Sequence, residues 1–150
     1  MSLESQPLYA GTFERSMDAK KRVAVPSGWL AKKEGEEFYT IPHPKMPCLL
    51  VMPPVEFERW EQKFENAPNL TAVQRRRSVM RFYASAHRVA TDGQGRILLN
   101  EEQCAKVGLK GPIYFVGGKS RFEIWDKARF EESLAEEEPS YLQAAEEIGL

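Results

Sequence analysis

The chain has 150 residues, of which 42% are hydrophobic and 29% charged, and its formal net charge is −1 at pH 7. This composition is typical of a soluble globular protein, and no apolar stretch reaches the ~20 residues of a membrane-spanning helix, so no membrane partner is expected. The first six residues lack the basic and apolar regions of a signal peptide, which favours a cytoplasmic location. Two cysteines, Cys48 and Cys104, are too few for a disulfide framework and are interpreted as buried apolar residues.

In the first part of the chain, short strands alternate with turns. Strands are predicted over 8–13, 22–25, 36–41 and 48–52, where β-branched and aromatic residues lie between turn residues. A short helix is predicted over 26–33, because proline fits the first helical position. A longer helix is predicted over 55–66, where Phe57, Trp60 and Phe64 recur at helical spacing and are interpreted as core contacts.

The second part of the chain repeats this plan after a helix. Thr71 and Gln74 form a capping-box pattern that starts a helix ending near Ala86. Strands follow, ending at Val89 and at Leu99, and then come a helix from Asn100 to Gly108, strands over 112–116 and 121–125, a helix over 127–136 and a last helix from Ser140 to Gly149. Many short strands with turn signals between them predict a β-rich α+β fold with peripheral helices.

One five-residue pattern occurs twice. Asp18-Ala19-Lys20-Lys21-Arg22 recurs 74 residues later as Asp92-Gly93-Gln94-Gly95-Arg96, and an apolar run follows each copy. A repeat at a fixed offset indicates an internal duplication, and each half is too small to close a core without its twin. The predicted organisation is a first unit (8–60), a helical connector (61–86), a second unit (87–131) and an acidic helical tail (132–150).

Charge is distributed unevenly along the chain. Residues 131–150 contain seven acids and no lysine or arginine, which leaves 21 basic and 15 acidic residues in the rest of the chain. A basic body with an acidic tail is typical of proteins that bind polyanions. The same pattern also fits a tail that is simply a solvated helix, and composition does not decide between the two.

The repeated pattern itself has a structural and a functional interpretation. Asp92 can accept hydrogen bonds from the backbone ahead of it, Gly95 suits a positive φ, and Arg96 can pair with Asp92 to hold the hairpin in register. Alternatively, the paired arginine presents its planar guanidinium to phosphate groups or guanine edges. The first copy is crowded with four cations, Arg15, Lys20, Lys21 and Arg22, and a structural clasp alone does not need Lys20 or Lys21. Both interpretations remain open at this point.

Motifs for catalysis are weak. Gly118-Lys119-Ser120 lacks the earlier glycine of a phosphate-binding loop and precedes a predicted strand instead of a helix. His43 and His87 have no metal-ligand spacing with the cysteines. No paired-carboxylate, nucleophile or dinucleotide pattern is found, so we expect no enzymatic activity, no cofactor and no metal.

Both halves of the chain resemble the MraZ proteins. The first half does so in Tyr9-Ala10-Gly11 and in the run from Asp18 to Pro26. The second half does so in the run from Asp92 to Leu99 and in Phe122-Glu123-Ile124-Trp125-Asp126. The similarity runs from about Leu8 to Phe130.

This resemblance implies a fold and a function. The implied fold is two tandem AbrB-like swapped-hairpin units that form a pseudo-two-fold β-barrel. The implied function is bacterial transcriptional regulation by a ring-shaped homo-oligomer on the nucleoid. Members of the family bind double-stranded DNA at promoter repeats of the division and cell-wall gene cluster, and they commonly repress their own operon. The resemblance implies a DNA-binding face formed by Asp18, Arg22, Asp92 and Arg96. Because of their charge, Arg15 and Lys20 are added to this set of expected DNA-binding residues.

The sequence also departs from the family pattern. Lys21 stands where glycine is usual, so the first turn is expected to adopt another type. Leu30 and Cys104 stand where arginine is often found, and Asn100 replaces a usual proline, which is expected to change the DNA sequence read. The rival function is a ring-forming scaffold, or an antitoxin-like protein that binds a protein partner through its acidic tail.

Overall fold

The computed structural model describes residues 8–150, so the signal-peptide question raised on the first six residues lies outside the described range. The strands are β1 (Thr12–Arg15), β2 (Arg22–Ala24), β3 (Glu37–Pro42), β4 (Cys48–Met52), β5 (His87–Ala90), β6 (Arg96–Leu98), β7 (Ile113–Gly117) and β8 (Phe122–Asp126). The helices are α1 (Pro54–Glu65), α2 (Ala72–Ser85), α3 (Glu101–Val107) and α4 (Lys127–Glu147), with a 3-10 turn at Ser27–Trp29. The predicted α+β class is confirmed.

The strands form one large sheet and one small ribbon. The sheet has six strands in the order β1-β7-β8-β4-β3-β5, and in the described part of the chain β2 pairs only with β6. No closed β-barrel forms among residues 8–150, because β1 and β5 are the edges of an open sheet, and the expected pseudo-two-fold barrel of swapped hairpins is not confirmed. Closure needs an unbroken ladder of hydrogen bonds, and the three-residue strands of the ribbon form a separate antiparallel pair.

Strands of the two halves are interleaved in this arrangement. Four pairs join one half to the other, namely β1 with β7, β2 with β6, β3 with β5 and β4 with β8. Two further pairs, β3 with β4 and β7 with β8, lie within a half. The backbone hydrogen bonds of each half are therefore largely satisfied by the other half.

The core has a large and a small cluster. The large one draws buried side chains from both halves, including Val23, Phe38, Ile97 and Phe115. The small one lies under α1 and α2, where the Phe57 ring stacks on Tyr39 at 4.1 Å and on Phe82 at 4.5 Å between centroids. The predicted packing role of the aromatic stripe in α1 is confirmed.

Local turn and cap signals are confirmed at several positions. Thr71 accepts a hydrogen bond from the Gln74 backbone, and the Gln74 side chain accepts one in return, which forms the capping box of α2. Asn100 caps α3 from one side only, because its side chain accepts a hydrogen bond from the Gln103 backbone amide. Gly108 ends α3 with φ 73°, the left-handed conformation that glycine adopts at least cost.

Three predicted elements differ from the structure. The first strand begins at Thr12 and not at Leu8, because Gly11 has φ 97° and breaks the extended run. Only a 3-10 turn forms in place of the helix over 26–33, because Leu30 is already extended. The two expected C-terminal helices are one continuous helix, α4, with Pro139 inside it. Strong helix formers on both sides of Pro139 offset its missing N–H.

Within residues 8–150, no helix combines the length and apolar character needed to cross a membrane.

Candidate nucleic-acid interface

The two copies of the repeated pattern form the same turn. The Asp18 carbonyl accepts from the Lys21 amide at 3.0 Å, and the Asp92 carbonyl accepts from the Gly95 amide at 2.9 Å. Each aspartate amide in turn donates to the carbonyl of the arginine four residues on, at 3.0 Å in the first copy and 2.9 Å in the second. The duplication seen in the sequence is therefore also a duplication of backbone geometry.

The aspartate side chain adds further hydrogen bonds to the two backbone hydrogen bonds of each turn. Oδ1 of Asp18 accepts from the backbone amides of Lys20 and Arg22, and Oδ1 of Asp92 accepts from those of Gln94 and Arg96. These backbone N–H groups, above all that of the arginine, lower the pKa of each carboxyl below its ordinary value. Both aspartates are therefore ionised at neutral pH.

The remaining carboxylate oxygen orients the arginine. Nε of Arg22 donates to Oδ2 of Asp18 at 2.7 Å, and Nε of Arg96 donates to Oδ2 of Asp92 at 2.9 Å. Nη1 of Arg96 also lies 3.9 Å from Oδ2 of Asp18, which links the two copies. Because Nε carries the contact, the outer nitrogens of Arg22 make no hydrogen bond to any residue in the range 8–150.

The ribbon places both arginines on one face. Val23 lies opposite Ile97, and both side chains point into the core with exposures of 1% and 0%. Side chains alternate along a strand, so Arg22 and Arg96 point outward on either side of this buried pair. Their side chains are 36% and 28% exposed. The result is one surface with two oriented cations, called here the arginine ribbon (Asp18–Ala24 and Asp92–Leu98).

The backbone conformation of Lys21 contradicts an expectation. Lys21 has φ 67° and the equivalent Gly95 has φ 73°. The expectation of a different turn type in the first copy is therefore wrong, because the aspartate hydrogen bonds hold the same turn. A non-glycine residue in this region costs roughly 1–2 kcal/mol, which the surrounding hydrogen bonds offset.

The two residues added for their charge are placed differently. Lys20 lies at the exposed tip of the first turn, at the position of Gln94 in the second copy. Arg15 lies on β1, where its guanidinium donates to the Glu14 carbonyl and lies 5.6 Å from the Phe13 ring centroid. Among the described residues, no hydrogen bond or ion pair connects Arg15 with the arginine ribbon.

Sequence reasoning missed the segment that supports the second turn. A methyl group in place of the Gly95 hydrogen would lie 3.4 Å from Cδ1 of Leu30 and 3.8 Å from Cγ of Lys33. Lys33 thus adds a cation beside the second turn, although it is 62 residues away in the sequence. On the other side, burial raises the pKa of the Cys104 thiol and the charge of Lys21 opposes this shift, so Cys104 lies near the first turn.

Comparison with known proteins identifies the family. A sequence model described as "MraZ protein, putative antitoxin-like" matches residues 8–79 and again 82–149. The chain belongs to the MraZ family. It is similar to a transcriptional regulator MraZ of Acetivibrio thermocellus, with 31% identity over 144 residues, 95% of this chain and 98% of that protein.

Other MraZ proteins match over a similar range. The transcriptional regulator MraZ of Kocuria rhizophila is 30% identical over 94% of this chain and 96% of its own length. That of Tolumonas auensis is 33% identical over 85% of each chain. The two ranges matched by the MraZ model contain one copy of the Asp-Arg motif each, and these relatives are named as regulators and not as enzymes. The prediction that the chain is not an enzyme is confirmed on this ground.

Proposed function

We propose that this chain is a bacterial transcriptional regulator that binds double-stranded DNA through the arginine ribbon. The observation that carries the proposal is the pair of outward arginines, each held by an aspartate of its own turn and joined across one short ribbon. The printed names of the MraZ relatives support the same function.

The chemistry of the ribbon suits a polyanion. A guanidinium held through Nε keeps its outer nitrogens available for a phosphate or for O6 and N7 of guanine. Because the aspartate restricts the arginine side chain before binding, less side-chain entropy is lost when a contact forms. Lys20 and Lys33 are flanking cations that position the protein on phosphates without reading sequence. Arg15 belongs to this proposal only as a peripheral charge.

We propose that repetition supplies the affinity. A single ribbon offers few cations, so one contact is weak at cellular salt. Several copies in a ring-shaped homo-oligomer, on regularly repeated promoter elements, would make later contacts intramolecular and strengthen binding by effective concentration. The proposed targets are promoter repeats of the division and cell-wall gene cluster, including the protein's own operon, where it acts as a repressor. The proposed location is the cytoplasm, at the nucleoid.

The proposed units follow the repeat. Residues 8–60 and 87–131 are taken as AbrB-like swapped-hairpin units, residues 61–86 as the connector and 132–150 as the acidic tail. The interleaving of strands from the two halves, with one hairpin of each half inside the sheet, supports this division.

Replacement of the ribbon arginines tests the function. We expect Arg22→Ala to abolish specific binding to the DNA upstream of the protein's own gene, since each lost base contact costs about 1–3 kcal/mol, roughly 5- to 150-fold in affinity. Gel shift with specific and scrambled duplexes measures this, and size-exclusion chromatography verifies the assembly.

Arg88→Ala is the matched control. Arg88 is also an exposed arginine paired with an acid, Glu37, but it lies on the edge strand β5. It is expected to bind DNA like the wild type. Retention of specific binding by a folded and assembled Arg22→Ala protein would refute the proposal.

One observation favours a second function. Helix α4 is acidic and has no buried residue, and the family description includes the word antitoxin. An interaction protein would capture a protein partner through α4 in the absence of DNA. The salt dependence of DNA binding separates the two functions.

A further inference from the structure

A groove with an apolar floor lies between the β3–β4 hairpin and helices α1 and α2. It encloses about 630 Å³. Its floor consists of Ile41, Leu50, Met52, Trp60, Phe64 and Phe82. Of these, Leu50, Trp60 and Phe82 are only partly buried, so apolar surface remains open to solvent. Such open apolar surface rimmed by polar residues is typical of a binding site.

The rim of this groove is cationic. Arg77 and Arg81 from α2, Lys106 from α3 and Arg121 just before β8 line it, and no acidic side chain does. Within residues 8–150, none of these four cations forms an ion pair. The guanidinium of Arg121 lies 5.1 Å from the Trp60 ring centroid, which holds one cation over the apolar floor. The groove therefore suits an occupant that is both apolar and acidic.

Helix α4 has the complementary surface. Leu134, Tyr141, Leu142 and Ile148 are 44%, 61%, 56% and 80% exposed. Positions i, i+7, i+8 and i+14 lie on one face of a helix, and at about 1.5 Å per residue the stripe is roughly 20 Å long. Glu137 and Glu138 stand three and four residues after Leu134, beside this stripe.

This stripe has no partner in its own chain. Past Glu131, which accepts a hydrogen bond from Tyr114, no side chain of α4 makes a hydrogen bond, ion pair or aromatic contact within the described residues. The helix packs mainly on β7 and β8, and its contacts lie near its own start. Helix α4 starts directly after the last residue of β8, whereas Arg121 and the groove lie at the first residue of that strand. An apolar and acidic face and an apolar and cationic groove thus lie apart in one molecule.

We propose that the face of α4 around Leu134, Tyr141, Glu137 and Glu138 docks into the cationic groove of a second copy of this chain. The apolar stripe would cover Trp60 and Phe82, and the two glutamates would meet Arg77 and Arg81 on the rim. This contact joins different surfaces of two identical chains, so it propagates from copy to copy and closes into a ring when the rotation permits. The inference rests on the self-assembly in the proposed function and names the surfaces that carry it.

Charge reversal on each side tests the contact. The groove variant carries Arg77→Glu and Arg81→Glu, and the helix variant carries Glu137→Arg and Glu138→Arg. Each variant alone opposes like charges at every contact and is expected to fall to single-chain mass by native mass spectrometry. Mixed one to one, every contact again joins opposite charges, so assembly is expected to return with equal amounts of both chains.

Two controls use the same helices. Arg76→Glu lies on α2 outside the groove. The double variant Glu132→Arg and Glu136→Arg lies on the face of α4 away from the stripe. Both controls are expected to keep the wild-type mass. A thermal unfolding scan confirms that all variants are folded, and Tyr141→Ser with Leu142→Ser tests the same contact if a charge-reversed chain does not fold.

Three results would overturn the inference. These are a wild-type protein that is a single chain in solution, charge-reversed or serine variants that keep the wild-type mass, and a mixture that does not reassemble. The mass is measured without DNA, so failure here leaves the DNA-binding role of Arg22 untouched. Loss of that role in the gel shift would likewise leave the docking contact in place.

Discussion

At the scale of single residues, the aspartate of each turn has two tasks. One oxygen accepts backbone amides and holds the turn, while the other orients the arginine. An exposed ion pair of this kind contributes little to stability. Its value lies in restricting the arginine side chain, so that the guanidinium is in place before a ligand arrives.

Lys21 offers a stability test at this scale. We expect Lys21→Gly to stabilise the protein by up to about 1 kcal/mol. It removes the roughly 1–2 kcal/mol of left-handed strain but adds ~0.4–1 kcal/mol of unfolded-chain entropy. Urea unfolding measures the difference. Gly95→Ala is the mirror control and is expected to lose a similar amount, because its methyl would have only ordinary contact with Leu30. A destabilised Lys21→Gly protein would show that Lys21 makes a compensating contact.

At the scale of elements, the helices differ in how their stability arises. Helix α1 buries Phe57 against β3 and α2, whereas α4 has no buried residue along its 21 positions. Most helical stability in proteins comes from packing of an apolar face. In a single chain, α4 therefore depends on the intrinsic propensity of its alanine, glutamate and leucine residues.

Pro139 tests this dependence. In single chains that carry Glu137→Arg and Glu138→Arg, we expect Pro139→Ala to slow hydrogen exchange of the amides from Ser140 to Glu147 by about 100-fold, since proline inside a helix costs ~3 kcal/mol relative to alanine. The unfolding temperature of the core should not change. Pro54→Ala is the matched control, because Pro54 lies in the first turn of α1, where proline is tolerated. Equal exchange with and without Pro139→Ala would mean that α4 is already held by other contacts.

At the scale of the whole molecule, the two halves form one folding unit. Four of the strand pairs cross between halves, and the large core mixes their side chains. A half expressed alone would leave these edges and apolar faces open to water. The arginine ribbon is itself such a crossing, so the candidate site exists only when both halves are folded together.

Salt dependence tests the function of this whole assembly. We expect the logarithm of the DNA affinity to fall linearly with the logarithm of salt concentration, with a slope of about −0.9 per phosphate contacted. Lys20→Ala, which removes a proposed phosphate contact, should flatten this slope by about 0.9 for each subunit that engages DNA. Fluorescence anisotropy across a salt series measures both values. A flat salt dependence, together with capture of one protein in the absence of DNA, would favour the interaction protein.

Local sequence signals were sufficient to predict part of the fold and of the candidate site. The capping box of α2, the N-cap of α3, the left-handed Gly95 and Gly108 and the Asp-Arg contact depend on residues within four positions of one another, so the pattern of residue types predicts them. The same reasoning failed at Lys21 and Pro139. There the surrounding hydrogen bonds and the strong helix formers outweighed the local preference of one residue.

The sequence by itself determined the duplication, the two turns and the charges that each turn displays. Only the tertiary structure decided that β2 pairs with β6, that Lys33 stands beside the second turn, and that the sheet stays open. It also decided that the rim of the groove combines Arg77 and Lys106 from separate helices. The physical reason is that turns are set by bonds between near neighbours. Strand pairing and grooves depend on which apolar faces, distant from one another in the sequence, are buried together. The pattern of residue types along the chain does not specify that.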